Sequence, residues 1–266
     1  MMSYFPVSLV RRSAVGISLL LLLIVLPVSA QSVESVVSAM EDTYRSQMES
    51  VDTYILETDM YTSYHRKVEG GDAFSMENVT QVKGQESMPM QSTPVTGTNS
   101  MIDLSDDLRQ HATYSGSETL DGTRCHVLTI DDPSQLKSGM AGSDIDQIRY
   151  FVNADTHQPR RMVVSSSSGG PSTMTVDMLD YRTVKGLSMP HRMEFTAELP
   201  PEQRKQMEAA FAQLEQMPPE QREQAMQMMG DQMQQMKNMM SGEPMVVTVT
   251  SLKVNVPLPD GIFDGS

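Results

Sequence analysis

The residues most open to a chemical reading are methionines. Met226, Met229, Met233, Met236 and Met240 follow one another at alternating spacings of three and four, which puts five thioethers on one stripe of a helix. A segment just upstream places Met207, Phe211 and Leu214 on one helical face in the same way. The two belong to a repeat. Leu199-Pro200-Pro201-Glu202-Gln203-Arg204 returns as Met217-Pro218-Pro219-Glu220-Gln221-Arg222, and each Pro-Pro-Glu suits a first helical turn. Such a stripe can pack an amphipathic hairpin, adapt to an irregular apolar ligand, or offer soft sulfur ligands to Cu(I). Metal-binding runs usually add His or Cys, and neither occurs between Pro200 and Met245.

Other reactive side chains are dispersed. His65, His111, His126, His157 and His191 show no ligand spacing in sequence, so no metal ligand is assigned. Cys125 and His126 are neighbours on an expected strand and must point to opposite faces. Cys125 is the only cysteine, which excludes an internal disulfide and reads as a buried structural thiol. Ser165–Ser168 with Gly169-Gly170 lacks the strand and helix that frame a phosphate loop or nucleophile elbow. Asn78-Val79-Thr80 matches a glycosylation acceptor, a motif short enough to arise by chance. No catalytic residue, cofactor or enzyme activity is expected.

The elements that would position these groups are mostly strands. Residues 33–49 read as a helix, with Val33, Val36, Val37, Met40 and Tyr44 at helical spacing. From Val51 the period becomes two: Tyr54, Leu56, Met60 and Tyr64 face one way as a single half-buried strand, and Gly70-Gly71 turns it into another near Ala73–Val82. Residues 84–100 read as loop. Glu118–Leu120 and Arg124–Ile130 form a hairpin about Asp121-Gly122, Ile148–Val152 and Pro159–Ser165 a second, Thr173–Arg182 and Met189–Ala197 a third about Lys185-Gly186. Val246–Val256 is the last strand. Consecutive strands with short connections imply an antiparallel meander, interrupted by a helical insertion at 199–243. Gly230 weakens the second helix of that insertion by about 1 kcal/mol.

Composition narrows the setting. Arg11 and Arg12 precede an apolar run from Ala14 to Leu26, and Val28-Ser29-Ala30 supplies the small residues of a cleavage site, so residues 1–30 read as a signal peptide cut after Ala30. Removing them leaves 236 residues with a net charge of −16 (18 basic, 34 acidic). That surface repels phosphate backbones, so nucleic acid is not an expected partner. Trp is absent and aromatics make up 5%, while the chain holds 25 methionines; thioethers fill the space that rings usually fill.

Several strand-and-turn segments have a family look. Gly122-Thr-Arg-Cys-His-Val-Leu, Tyr150-Phe-Val-Asn-Ala-Asp-Thr-His-Gln-Pro-Arg, Tyr181-Arg-Thr-Val-Lys-Gly-Leu-Ser-Met-Pro-His-Arg-Met and Val254-Asn-Val-Pro-Leu-Pro-Asp-Gly-Ile-Phe resemble the outer-membrane lipoprotein-sorting (LolA-like) superfamily. The resemblance implies an α+β domain over 31–266: a strongly curved antiparallel half-barrel, an N-terminal helix, and an inserted helical hairpin as lid over a cavity for acyl chains. It implies a periplasmic carrier for lipoproteins or other acylated cargo, monomeric, with a membrane-bound docking protein as a possible partner. The alternatives are a periplasmic sensor of envelope stress with the same fold, and a Met-rich Cu(I)-binding protein. Fold and ligand class carry over; no individual residue does.

Export is directly testable. Intact-mass and N-terminal analysis of the chain from its native envelope is expected to find Gln31 first. A membrane-fraction protein still beginning at Met1 would overturn that expectation.

Overall fold

Ser32 begins the folded chain as a helix cap. Its hydroxyl accepts from the Ser35 amide at 3.2 Å, and the Ser35 hydroxyl accepts from the Ser32 amide at 3.0 Å. This reciprocal capping box launches α1 (Val33–Met48). The computed structural model describes residues 31–68, 76–83, 100–136, 145–167, 172–198, 200–216 and 242–263, all within the compact unit Gln31–Ser266. The expected signal peptide lies outside the described residues.

The apolar face of α1 is the one its spacing predicts. Val36, Val37 and Met40 are buried in one core cluster; Met48 is fully buried in a second, with Tyr44 against it. Each such side chain contributes about 1.5–3 kcal/mol by leaving water. One helix therefore anchors two cores.

A second helix, α2 (Ser100–His111), was not foreseen. Its described apolar residues, Leu104 and Leu108, stand four apart among Asp, Ser and Gln, too sparse a stripe to announce a helix. Leu108 is fully buried in the first cluster and Leu104 packs against it. Arg109 ties α2 to α1: its Nη1 and Nη2 donate to the two Glu41 carboxylate oxygens at 2.6 and 2.7 Å, and Nε donates to Glu34 at 3.0 Å. The forked geometry suits guanidinium on carboxylate, and the Arg109 hydrogen bonds hold the Glu41 carboxyl below its ordinary range.

Ten strands form one antiparallel sheet: β1 (Thr53–Thr58), β2 (Tyr61–Lys67), β3 (Met76–Val82), β4 (Thr113–Leu120), β5 (Thr123–Ile130), β6 (Gln147–Asn153), β7 (Pro159–Ser166), β8 (Ser172–Val184), β9 (Leu187–Glu198) and β10 (Met245–Val254). The order is β3-β2-β1-β10-β9-β8-β7-β6-β5-β4, so β10 joins an N-terminal meander to a longer one. The sheet is open and curled, with β3 and β4 at its edges. This is the expected α+β half-barrel.

The single strand expected from Val51 is in fact a hairpin, β1 and β2. The cause is Thr58, whose buried hydroxyl accepts from the amides of Met60 at 3.1 Å and Tyr61 at 2.9 Å and donates to the Tyr61 carbonyl at 3.0 Å. That local turn competes with continued extension. The other hairpins stand as expected. Asp121-Gly122 (φ 48° and 81°) and Lys185-Gly186 (φ 47° and 90°) are the left-handed pairs a two-residue turn requires. β10 stops two residues early because Asn255, at φ 53°, leaves the ladder. Its side-chain oxygen accepts from Asp52 N at 2.8 Å and its amide donates to Ser50 O at 2.7 Å. The first helix of the insertion is present as α3 (Pro201–Gln216); its second helix, and residues 84–99 of the expected loop, lie outside the described residues.

The α1–α2 clamp generates a prediction. Glu41→Gln keeps the shape of the side chain but removes its charge, and is expected to cost about 1–2 kcal/mol, because a charge-assisted pair with roughly a fifth to a quarter of each side chain exposed is only partly screened. Urea unfolding that shows an unchanged midpoint would mean that the helices are held by Leu108 and its neighbours alone.

Candidate functional site

Directly opposed residues of an antiparallel pair share a face, so the ladders define what lines the inside of the curl. One row runs Leu128, Tyr150, Met162, Val176, Phe195, Met245 across six adjacent strands from β5 to β10. A second runs Ile130, Ile148, Val164, Met174, Ala197. Beside them Met178, Met193 and Val247 oppose one another. Every member of these rows is apolar, and the first two rows begin in the core beneath α1 and α2.

Cover is uneven along these rows. Leu128 and Ile148 are completely buried, whereas Met178, Met193, Phe195, Ala197 and Met245 are half-buried and Met174 is 42% exposed. The uncovered part of the inner face is thus the stretch over β8, β9 and the start of β10. Four of its members are methionines, Met174 and Met178 on β8, Met193 on β9 and Met245 on β10. The period-two pattern Met174-x-Val176-x-Met178 and Met193-x-Phe195-x-Ala197 is present in the sequence, but its two halves meet only through the β8–β9 register.

The expected lid residues are only partly placed. Met207 is half-buried on α3, while the side chains of Phe211 and Leu214, and all of Met226, Met229, Met233, Met236 and Met240, lie outside the described residues. What the ladders do fix is the insertion's point of departure. It leaves after β9 and returns at β10, where Phe195 opposes Met245, so it is rooted at the end of the uncovered apolar row.

The opposite flank of the inner face, on β1–β3, is polar. His65 stacks on Tyr54 with ring centroids 4.0 Å apart and planes 10° from parallel. Its Nε2 lies 2.8 Å from the Ser63 hydroxyl, which reaches Thr80 Oγ1 at 3.0 Å. Burial pushes His65 down to about 4, so the ring is neutral near pH 7. Asn78 opposes His65 on β3, and its Oδ1 is buried without a hydrogen-bond partner among the described residues. A side chain turned into the ladder in this way is poorly presented as a glycosylation acceptor.

Cys125 and His126 do face opposite ways. Cys125 is fully buried with Val127 and Phe151 on the outer side, and burial pushes its thiol up. His126 Nδ1 meets Tyr114 Oη at 3.1 Å on the inner side. A buried thiol of raised pKa is a structural one. Among the described residues no three His, Cys, Asp or Glu side chains converge as metal ligands, and no helix is long and apolar enough to cross a membrane.

His65 makes stability depend on pH. Its folded value, about 4, lies below its ordinary 6.5, so the unfolded chain binds more protons between these limits. Stability is complete above pH 6.5 and falls as pH drops toward 4. Full linkage would be about 3 kcal/mol; because part of the ring meets solvent, about 1–2 kcal/mol is expected. His65→Phe keeps the stack and removes the titration. The stability difference between parent and variant, measured in urea at pH 7 and pH 4.5, should shift against the parent at the lower pH. A difference independent of pH would assign the acid sensitivity elsewhere.

No protein-family model matches the sequence, and no curated protein matches it. Solved structures do show similarity. A LolA superfamily protein, NE2245 from Nitrosomonas europaea, is 14% identical, with 88% of this chain and 98% of that one covered at a TM-score of 0.44. A putative outer membrane lipoprotein-sorting protein domain from Vibrio parahaemolyticus is 11% identical, with 86% and 95% covered at 0.46. A DUF1329 family protein from Desulfovibrio piger is 11% identical, with 87% and 96% covered at 0.45. These are likenesses of fold only, and the half-barrel assignment rests on this chain's own strand order.

Proposed function

We propose that this chain is a periplasmic carrier that holds an acyl chain, free or as part of a lipoprotein, against the uncovered inner face of its sheet. The observation that supports this is the apolar row that begins in the core and ends open at Met174, Phe195 and Met245. Sheltering about 16 carbons means replacing roughly 12 kcal/mol of hydrophobic stabilisation at about 0.8 kcal/mol per methylene. A side chain already half-buried gains about half of the roughly 1.5–3 kcal/mol of full burial when covered, so the open stretch and the lid side chains together are of the right order for one chain. Its methionines have unbranched, polarizable side chains that adapt to variable lipid. The insertion at 199–243 is the lid, with Met207, Phe211, Leu214, Met226, Met229, Met233, Met236 and Met240 as its cargo-facing side. The docking partner, if cargo is passed on, is a membrane-bound protein.

Titrating the mature chain with a fluorescent fatty acid tests this. Met174→Asp with Phe195→Asp is expected to weaken binding by at least about tenfold, because carboxylates on the open face would be desolvated by cargo. Met229, Met233 and Met236 changed together to Asp should do likewise, and changed together to Leu should not, since that swap preserves volume and apolarity. If the parent binds no acyl probe, the face is packing alone. If only the lid variant matters, cargo does not reach the sheet.

A further inference from the structure

The sequence segment Met189-Pro190-His191-Arg192-Met193 lies wholly within β9. On a strand, alternate residues share a face, so Met189, His191 and Met193 point the same way, inward. Met178 on β8 stands directly across from Met193, and the ladder passes over Asp180 and His191 before it resumes in the same register at Tyr181↔Pro190. His191 is buried at 8% exposure. Its Nδ1 lies 3.2 Å from the Met189 carbonyl oxygen. A carbonyl can only accept, so Nδ1 carries the proton, and in the neutral ring Nε2 carries a bare lone pair. Fixing one imidazole nitrogen on a backbone carbonyl is how proteins orient a histidine whose other nitrogen binds a metal.

The neighbours of His191 leave that lone pair to soft donors. Across β10 it meets Val249 by continuation of the Met193↔Val247 ladder. Across β8 stands Asp180, at φ 52° and half exposed, whose carboxylate pairs with Arg182 and also interacts electrostatically with His191. Met189 packs against the second core cluster, which leaves Met178 and Met193 as the thioethers of this part of the face among the described residues. Successive same-face positions are about 6.6 Å apart along a strand, and donors on one metal stand about 4 Å apart. Long methionine stems close that gap without moving backbone. One imidazole nitrogen and two thioethers form a set selective for a soft monovalent cation rather than for oxygen-seeking ions. The mature net charge of −16 would concentrate cations at the surface.

We infer that His191 Nε2, Met193 and Met178 form a Cu(I)-binding site on the inner face of the sheet. The inference is independent of acyl carriage, and the site differs from the helical stripe, which holds no histidine. Anaerobic titration of the mature chain with Cu(I), in competition with a chromophoric Cu(I) chelator, is the test, with X-ray absorption to read the ligand atoms. One tightly held ion with one nitrogen and two sulfur neighbours is expected. His191→Phe should weaken binding about a hundredfold, and Met178→Leu with Met193→Leu about as much. Changing Met229, Met233 and Met236 to Leu should leave the affinity intact. Should His191→Phe fail to fold, the double leucine variant, nearly isosteric, decides alone. A sulfur-only shell, loss of binding in the lid variant, or no tight Cu(I) binding by the parent would each overturn the site.

Discussion

A ten-stranded sheet with one apolar face must cover that face, and the described residues hold few helices with which to do it. Among the described residues the burden falls on α1, helped by α2. α1 serves two cores because its apolar stripe continues along its whole length: Val36, Val37 and Met40 seat on β5 and β6, and Met48 seats among β1, β10 and the β8–β9 turn. Curling the sheet around one helix is the geometry that lets a single stripe reach both clusters. The same geometry leaves the strands between them, β8 and β9, without a helix of comparable burial among the described residues. The open apolar stretch is therefore a consequence of how the sheet is covered.

The placement of β10 makes this possible. Had the chain ended after β9, β1–β3 would have to pair elsewhere or remain a separate small ribbon, and such ribbons are marginal alone. β10 gives each meander a partner: Met245–Thr248 on β9, and Val249–Val254 on β1. The division falls beside the Glu57/Thr58 irregularity, where the register of β1 shifts. One strand thus serves two neighbours chiefly through different halves of its length. Asn255 then locks its end to Ser50 and Asp52, at the exit of α1.

Legibility in the sequence followed the range of the interactions. Two-residue turns and the apolar spacing of α1 depend on residues a few positions apart, and these were read correctly. Thr58 was missed because it acts as a turn former inside a run whose alternation looks uninterrupted, and α2 because its burial depends on partners in α1 and β5. The pairing of β10 with β1 joins residues some 200 apart, and nothing local encodes it. For the candidate site, the excess of methionine was legible, but its distribution over the sheet was not. A stripe at helical spacing is conspicuous, while Met174, Met178 and Met193 are spread over two strands and meet only through register.

Methionine itself links these levels. In a chain without Trp and with 5% aromatics, it must fill volume that rings fill elsewhere, and Met40, Met48 and Met76 do so under full burial. Its unbranched stem tolerates irregular gaps at the cost of weakly specified rotamers. In a core that cost is offset by close neighbours. On an uncovered face it is not, and the side chains there remain free to repack around whatever they meet. The difference between Met48, completely buried, and Met174, 42% exposed, is one of cover and not of chemistry. His191, on the same face, adds something packing does not require: a hydrogen bond from its Nδ1 to the Met189 carbonyl that fixes the ring. An apolar residue would fill that space equally well, so the histidine's presence there is what volume alone leaves unexplained.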